Sequence, residues 1–157
     1  MAACVHKEAA VNVTLPTHTA TVAPSRAVAG STVPGSAQDF RVNAGDTVHF
    51  AYNQYGIEES EKVILQRQAN WLNKYPRVRV TIEGYCDERG TREYNLALGA
   101  RRANSVKEFL AGQGLAMNRI DTVSYGKERP ICIESSESCW AQDRRGLTAI
   151  TSGAATS

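Results

Sequence analysis

The sequence predicts an α+β fold, an α/β sandwich in which two helices cover a mixed four-stranded sheet in the order β-α-β-α-β-(loop)-β. Three observations support this prediction. Residues 77–85, RVRVTIEGY, alternate apolar and polar side chains as a half-buried strand does. Residues 57–75 and 93–112 each place apolar side chains at helical spacing. Further strand-like segments precede, separate and follow these two helices, so both element types alternate along the chain.

The first strand is predicted within DTVHFAY (46–52), where every second residue is apolar. The first helix is predicted at 57–75, because acidic residues occupy its first turn and Lys74 lies in its last. Pro76 follows directly and cannot continue a helix. The strand 77–85 therefore begins immediately after this helix ends.

The second helix, 93–112, is closed by Gly112 and Gly114. Its predicted buried stripe consists of Leu96, Ala100, Ala103, Val106 and Leu110. A third strand is predicted at IDTVSYG (120–126) and a last one around GLTAIT (146–151). A cysteine-containing loop separates these two strands.

The chain divides into three parts. Residues 1–38 are rich in Ala, Thr, Val, Pro, Ser and Gly without periodicity, which predicts a flexible tether with a typical span of about 30 Å. Residues 39–152 form the predicted domain, and residues 153–157 a disordered tail. A formal net charge of +2 is too small, and its basic residues too dispersed, to indicate a nucleic-acid-binding protein.

The chain contains four cysteines: Cys4, Cys86, Cys132 and Cys139. None forms a CxxC pair, which argues against a zinc site or a thioredoxin-type site. The spacing of Cys132 and Cys139 favours a local disulfide and hence an oxidising compartment, with two free thiols as the alternative. We predict no metal site and no cofactor.

The segment YCDERG (85–90) admits two functional interpretations. Cys86 could act as a nucleophile, but that chemistry needs a base, and no histidine stands in a triad-like pattern with it. Alternatively, Asp87 could act with Arg102, whose long side chain can turn back from the second helix. Such a pair would bind a zwitterion or would form an ordinary structural ion pair, and the pattern alone does not decide between them.

Three motifs favour the zwitterion-binding interpretation: DERGTREYN (87–95), LGARRAN (98–104) and VSYGKERP (123–130). They closely resemble the peptidoglycan-binding domain of lipoproteins in the OmpA-like family, over about residues 40–150. The segment CWAQDRRG (139–146) resembles the closing element of that domain, and the loop between Cys132 and Cys139 is similar to that of alphaproteobacterial members.

The resemblance implies a binding module, not an enzyme. Its implied ligand is the meso-diaminopimelate of the peptidoglycan stem peptide, whose ammonium Asp87 would accept and whose carboxylate Arg102 would bind. Asn95 would add a polar contact, and backbone groups near Cys86 and Gly90 would complete the pocket. One of the paired arginines, Arg144 or Arg145, would also point into the pocket.

The resemblance also implies a location and partners. MAAC at the N-terminus resembles the end of a lipoprotein signal, so Cys4 would carry the lipid that holds the protein in the outer membrane, with the domain facing the periplasm. TolB and TolA of the Tol–Pal system would be partners in cell division and envelope integrity. Another OmpA-like envelope protein, such as a flagellar stator component, is the alternative.

The sequence departs from the family pattern at the rim of this site. The family usually has GHxD where this chain has Tyr85, Cys86 and Asp87. Residues 50–53, FAYN, lack both carboxylates of the usual FDxD. Any contact from this first loop would therefore rely on Asn53 or Tyr55. These changes predict altered binding at the rim without loss of the central pair.

Overall fold

The computed structural model describes residues 31–157, so Cys4 and most of the predicted tether lie outside the described part. Its elements are α1 (Ala37–Asn43), β1 (Thr47–His49), α2 (Glu59–Lys74), β2 (Arg79–Tyr85), α3 (Arg92–Gly112), a 3-10 turn (Met117–Arg119), β3 (Ile120–Gly126), α4 (Glu137–Asp143) and β4 (Arg145–Ser152). Among the helices of residues 31–157, none combines the length and the apolar character that a bilayer span requires.

The four strands form one mixed sheet in the spatial order β1-β4-β2-β3. Strand β2 pairs in parallel with β3, whereas β4 runs antiparallel to both β1 and β2. Alternate residues of β2, Val80 and Ile82, are buried as their pattern predicted. They pack in one core with side chains of α2 and α3 such as Leu72 and Val106. The predicted fold class is confirmed.

The prediction of two helices was incomplete, because the structure adds the short helices α1 and α4. Each is capped by a serine whose side chain accepts a backbone N–H: Ser36 that of Asp39, and Ser136 that of Cys139. Neither helix has enough residues to show a periodic pattern. Tertiary contacts stabilise them instead, as where Phe40 of α1 meets the ring of Trp71 at 5.0 Å between centroids.

Order extends beyond both predicted domain boundaries. Ser36, assigned to the tether, is buried and forms a bridge with Ala155, assigned to the disordered tail. The Ala155 N–H donates to the Gly35 carbonyl oxygen at 2.9 Å. The composition of both segments suggested disorder, but each supplies backbone groups that pair with the other. We therefore place the start of the ordered domain before residue 37.

The buried face of α3 differs from the predicted stripe in its first half. Ala100 is exposed, whereas Leu98 and Arg102 are buried. The reason is a glycine contact between α3 and β2. A Cβ atom on Gly84 would lie only 1.8 Å from the Gly99 carbonyl oxygen. The absence of both side chains lets this helix face approach the end of β2, which brings Arg102 towards Asp87.

The carboxylate of Asp39 stabilises the fold through buried hydrogen bonds. Its buried carboxylate accepts hydrogen bonds from the Gly35 N–H at 2.8 Å and from the Trp71 indole N–H at 2.9 Å. We expect Asp39→Ala to lower the free energy of unfolding by about 2–3 kcal/mol, since both buried donors lose their acceptor. Urea unfolding at pH 7 measures this, with the exposed Asp121→Ala as control. Equal stability of Asp39→Ala and wild type would contradict the assignment.

The pKa of the same carboxylate makes the stability of the folded protein depend on pH in the acidic range. Burial opposes ionisation of Asp39, but the hydrogen bonds from Gly35, Trp71 and Asn43 outweigh it and lower its pKa. A lowered folded-state pKa contributes stability that is present above the unfolded value of about 3.9 and is lost as the pH falls through the folded value. As the pH falls through that range, the free energy of unfolding should therefore fall less in Asp39→Asn than in the wild type.

Candidate functional site

A pocket of about 50 Å³ lies where β2 ends and α3 begins. We refer to it as the Asp87 pocket. Its lining residues are Tyr52, Asn53, Cys86, Asp87, Arg89, Gly90, Tyr94, Asn95, Leu98 and Arg102. It thus brings together six of the nine predicted ligand-binding residues, from the first loop, the β2–α3 loop and α3. The other three, Tyr55, Arg144 and Arg145, are not part of its lining.

Asp87 is buried at the pocket wall and does not pair with Arg102. Its two oxygens accept from the Arg89 guanidinium, Oδ1 from Nε at 3.1 Å and Oδ2 from Nη2 at 2.7 Å. The Arg89 backbone N–H also donates to Oδ1, and Arg144 Nη1 lies 3.4 Å from Oδ2. Burial opposes ionisation of Asp87, but these hydrogen bonds outweigh it and lower the pKa of the carboxyl. Asp87 is therefore an ionised acceptor.

Arg102 lies at the floor of the pocket, almost fully buried. Its Nε donates to the carbonyl oxygen of Gln54 at 2.8 Å, its Nη1 to that of Tyr85 at 2.8 Å and its Nη2 to that of Ala51 at 3.1 Å. A guanidinium has five N–H groups, so one on each Nη nitrogen remains after these contacts. Arg102 thus fixes the first loop against β2 and keeps two N–H groups that these three carbonyl oxygens do not use.

Asn95 shapes the loop that carries Asp87. Both N–H groups of its amide are used, donating to the carbonyl oxygens of Arg89 at 2.8 Å and Thr91 at 3.0 Å. Gly90 lies between them with φ +90°, a conformation that side chains disfavour, and its carbonyl accepts from Lys127 Nζ at 2.6 Å. What Asn95 can still offer a ligand is its amide oxygen.

Cys86 has the properties of a packed thiol. It is buried, its Sγ donates to the Asn95 carbonyl oxygen at 3.3 Å, and its backbone N–H donates to the Gly126 carbonyl oxygen at 2.8 Å. Burial raises the pKa of Cys86 to about 11, so the thiol is protonated near neutral pH. The thiol-nucleophile interpretation therefore has no support from this site. The family resemblance implied that backbone groups near Cys86 complete the pocket, but the N–H of Cys86 itself already donates to Gly126.

The paired arginines have separate roles. Arg144 points towards the pocket, where it contacts Asp87 and donates through Nη2 to Glu137 Oε1 at 2.6 Å and through Nε to the Phe50 carbonyl oxygen at 2.9 Å. Arg145 points elsewhere, because its guanidinium lies 3.8 Å over the Tyr85 ring. Of the two arginines, Arg144 is therefore the one in contact with a residue of the pocket, although neither arginine lines it.

Sequence reasoning missed Arg89, the closest partner of Asp87. Its guanidinium lies between the rings of Tyr52 and Trp140, 4.0 Å from each centroid. Its position two residues after Asp87 in a turn was a usable signal. Trp140 carried no such signal, since it belongs to α4, which has no sequence periodicity. Its indole N–H donates to Glu88 Oε1 at 3.0 Å, which joins α4 to the Asp87 loop.

The disulfide between Cys132 and Cys139, present in the structure, anchors α4. We expect its reduction, or the double substitution Cys132→Ser and Cys139→Ser, to loosen α4 and expose the indole N–H of Trp140. Hydrogen exchange followed by NMR should show faster exchange of the Trp140 indole N–H. The exchange rate of the Trp71 indole N–H should stay the same, because Asp39 holds that group in the core. Unchanged exchange at Trp140 would contradict the anchoring role.

Fold and site together define a small α+β ligand-binding module with a carboxylate and a guanidinium in one pocket. The chain belongs to the OmpA family, whose model matches residues 49–144. Curated relatives named peptidoglycan-associated lipoprotein include that of Agrobacterium fabrum, 52% identical over 122 residues, covering 78% of this chain and 69% of the relative. That of Haemophilus influenzae is 43% identical and covers 66% of this chain and 68% of the relative.

Solved structures agree with this assignment. The peptidoglycan-associated lipoprotein from Burkholderia pseudomallei is 37% identical, with a TM-score of 0.66, and the match covers 68% of this chain and 90% of that one. The C-terminal domain of Helicobacter pylori MotB has a TM-score of 0.64 at 24% identity, covering 68% of this chain and 84% of that one. The MotB likeness shows a common fold alone.

Proposed function

We propose that this chain is an outer-membrane lipoprotein that binds peptidoglycan through the diaminopimelate of its stem peptide. The observation that carries the proposal is the Asp87 pocket, in which an ionised carboxylate and a buried guanidinium with two remaining donors line one small space. The side-chain end of meso-diaminopimelate bears an ammonium and a carboxylate on the same carbon. These two opposite charges match the carboxylate and the guanidinium in sign and number.

In this arrangement each side chain has a defined role. The two remaining N–H groups of Arg102 donate to the ligand carboxylate, while Asp87 and the amide oxygen of Asn95 accept from its ammonium. Asp87 already accepts from Arg89, so the ammonium must displace part of that contact. Arg89 can withdraw without losing all its partners, because Glu137 Oε2 lies 4.0 Å from its Nη2 and its guanidinium stays between two aromatic rings.

The departures from the family pattern leave this central pair in place. Ala51 contributes its carbonyl oxygen to Arg102, a contact that needs no side chain. Asn53 lines the pocket with φ 55°, a left-handed conformation that asparagine tolerates better than most residues. The first loop therefore contributes mainly its backbone and leaves charge recognition to Asp87 and Arg102.

The same proposal includes the anchor and the partners. Cys4, outside the described residues, would carry the lipid that holds the chain in the outer membrane, and TolB and TolA would bind it in cell division. The names of the curated relatives, which include the word lipoprotein, support acylation of this chain. The proposal of TolB and TolA as partners follows from the family resemblance. Mass spectrometry of the protein purified from its native membrane tests for acylation at Cys4, and an unmodified cysteine would exclude it.

Retention on purified sacculi tests the binding function. We expect the protein to co-sediment with sacculi whose stem peptides contain diaminopimelate. Sacculi that carry lysine at that position provide a matched control, because lysine keeps the ammonium but lacks the adjacent carboxylate. Equal retention on both kinds of sacculi would show that the pocket does not recognise the zwitterion.

A further inference from the structure

A second pocket, of about 120 Å³, adjoins the Asp87 pocket along α3. We refer to it as the Arg101 pocket. Its lining residues are Asn53, Tyr55, Tyr94, Ala97, Leu98 and Arg101. Asn53, Tyr94 and Leu98 line both pockets, so the two pockets are neighbours that share part of their walls. When a ligand is held in the Asp87 pocket by its zwitterionic end, the atoms next to that end therefore lie close to the Arg101 pocket.

The chemistry of the Arg101 pocket differs from that of its neighbour. Tyr55 and Tyr94 are 45% and 48% exposed, an unusual exposure for two aromatic side chains that line one small space. The Arg101 guanidinium lies 5.5 Å from the Tyr55 ring centroid and forms no ion pair with any residue of 31–157. The pocket therefore offers apolar walls and one exposed cation.

The exposed cation and the apolar walls of the Arg101 pocket favour an anionic ligand group over a cationic one. The face of Tyr55, which could otherwise attract an ammonium, is already occupied by Arg101 and its positive charge. A carboxylate can accept from the guanidinium fork while a short apolar side chain lies on Ala97 and Leu98. A long side chain would instead clash with the two tyrosines, and a positively charged one would be repelled by Arg101.

We infer that the Arg101 pocket is a subsite for the carboxylate of a stem-peptide residue bonded directly to diaminopimelate. This inference rests on the proposed function. Two neighbours could supply that chemistry: the terminal carboxylate of D-alanine, which follows diaminopimelate, and the α-carboxylate of D-glutamate, which precedes it.

Titration calorimetry with the full chain tests the subsite with three probes: free meso-diaminopimelate, the dipeptide meso-diaminopimelyl-D-alanine and the dipeptide γ-D-glutamyl-meso-diaminopimelate. We expect one dipeptide to bind about fivefold more tightly than the free amino acid, the upper range for an exposed ion pair. The tighter dipeptide identifies the source of the carboxylate. Arg101→Gln should remove this gain and leave the affinity for free diaminopimelate within twofold of wild type.

Arg67→Gln is the matched control, since it removes an exposed arginine from α2, a helix outside both pockets, and should keep the gain. Arg101→Lys should retain part of it. If neither dipeptide binds more tightly than free diaminopimelate, or if Arg101→Gln keeps the full gain, the subsite is wrong while the proposed function stands. If no probe and no sacculus binds wild type, the proposed function fails and the subsite fails with it.

Discussion

Asp87→Asn should reduce affinity for diaminopimelate-containing sacculi by about 10- to 100-fold. A hydrogen bond to a charged partner contributes about 1.5–3 kcal/mol, and asparagine keeps the shape of the side chain but removes its charge. Asparagine also offers one acceptor oxygen where the carboxylate offers two, so the ligand ammonium and Arg89 can no longer both be satisfied. The loss should appear on sacculi with diaminopimelate, where the wild type binds most tightly.

Asp121→Asn is the matched control. Asp121 is an exposed aspartate of β3 whose nearest cation, Arg79, lies at 3.9 Å, so its replacement removes the same charge without touching the pocket. Retention on sacculi should be unchanged in this control. Wild-type retention in Asp87→Asn, with unaltered thermal unfolding, would exclude Asp87 from ligand binding.

Asp87→Asn should also change the acid dependence of stability. The pKa of Asp87 is lowered in the folded protein, because the hydrogen bonds from Arg89 and Arg144 outweigh the effect of burial. Its contribution is thus present above the unfolded value of about 3.9 and is lost as the pH falls through the lower folded value. Unfolding measured between about pH 2 and pH 5 should show a shallower loss of stability in the variant.

Arg102→Ala should have the largest effect on stability, lowering the free energy of unfolding by about 3 kcal/mol or more. Its removal leaves the carbonyl oxygens of Gln54, Tyr85 and Ala51 without their donor and opens a cavity beneath the pocket. Retention on sacculi should be lost as well, because alanine removes the donors assigned to the ligand carboxylate and no longer fixes the first loop. Urea unfolding and sedimentation with sacculi measure the two effects.

Arg102→Lys separates the structural role from binding. Lysine keeps the positive charge but cannot reproduce the planar fork, so it should recover part of the stability and little of the affinity. Arg67→Ala, on the exposed side of α2, should change neither property. Full stability in Arg102→Ala would show that the three carbonyl contacts do not hold the first loop.

Much of the fold could be predicted because its strands and long helices carry their own periodic signals. The strand at β2 has alternating residues, and α2 is followed by Pro76. The helices α1 and α4 could not be predicted, since their stability comes from a capping serine and from distant contacts such as that of Phe40 with Trp71. Tertiary contacts of this kind leave no local pattern.

The site was predictable in part of its membership and not in its contacts, since Arg89 was missed and Tyr55, Arg144 and Arg145 do not line the pocket. The motifs identified Asp87 and Arg102, and the structure places both in one pocket. Their separation into two hydrogen-bond networks could not be read from the sequence, because it depends on the Gly84–Gly99 contact that buries Arg102. The position of Trp140 over Arg89 likewise arises from the disulfide-anchored α4, far along the chain.

Titration calorimetry of the full chain with two synthetic peptides tests the central claim most directly. The peptides L-Ala-γ-D-Glu-meso-diaminopimelate and L-Ala-γ-D-Glu-L-Lys differ by one carboxylate, which is the group assigned to Arg102. We expect the diaminopimelate peptide to bind at least about tenfold more tightly than the lysine peptide, and Asp87→Asn to weaken its binding. Equal affinity for both peptides, or unchanged binding in Asp87→Asn, would contradict recognition of a zwitterion by Asp87 and Arg102.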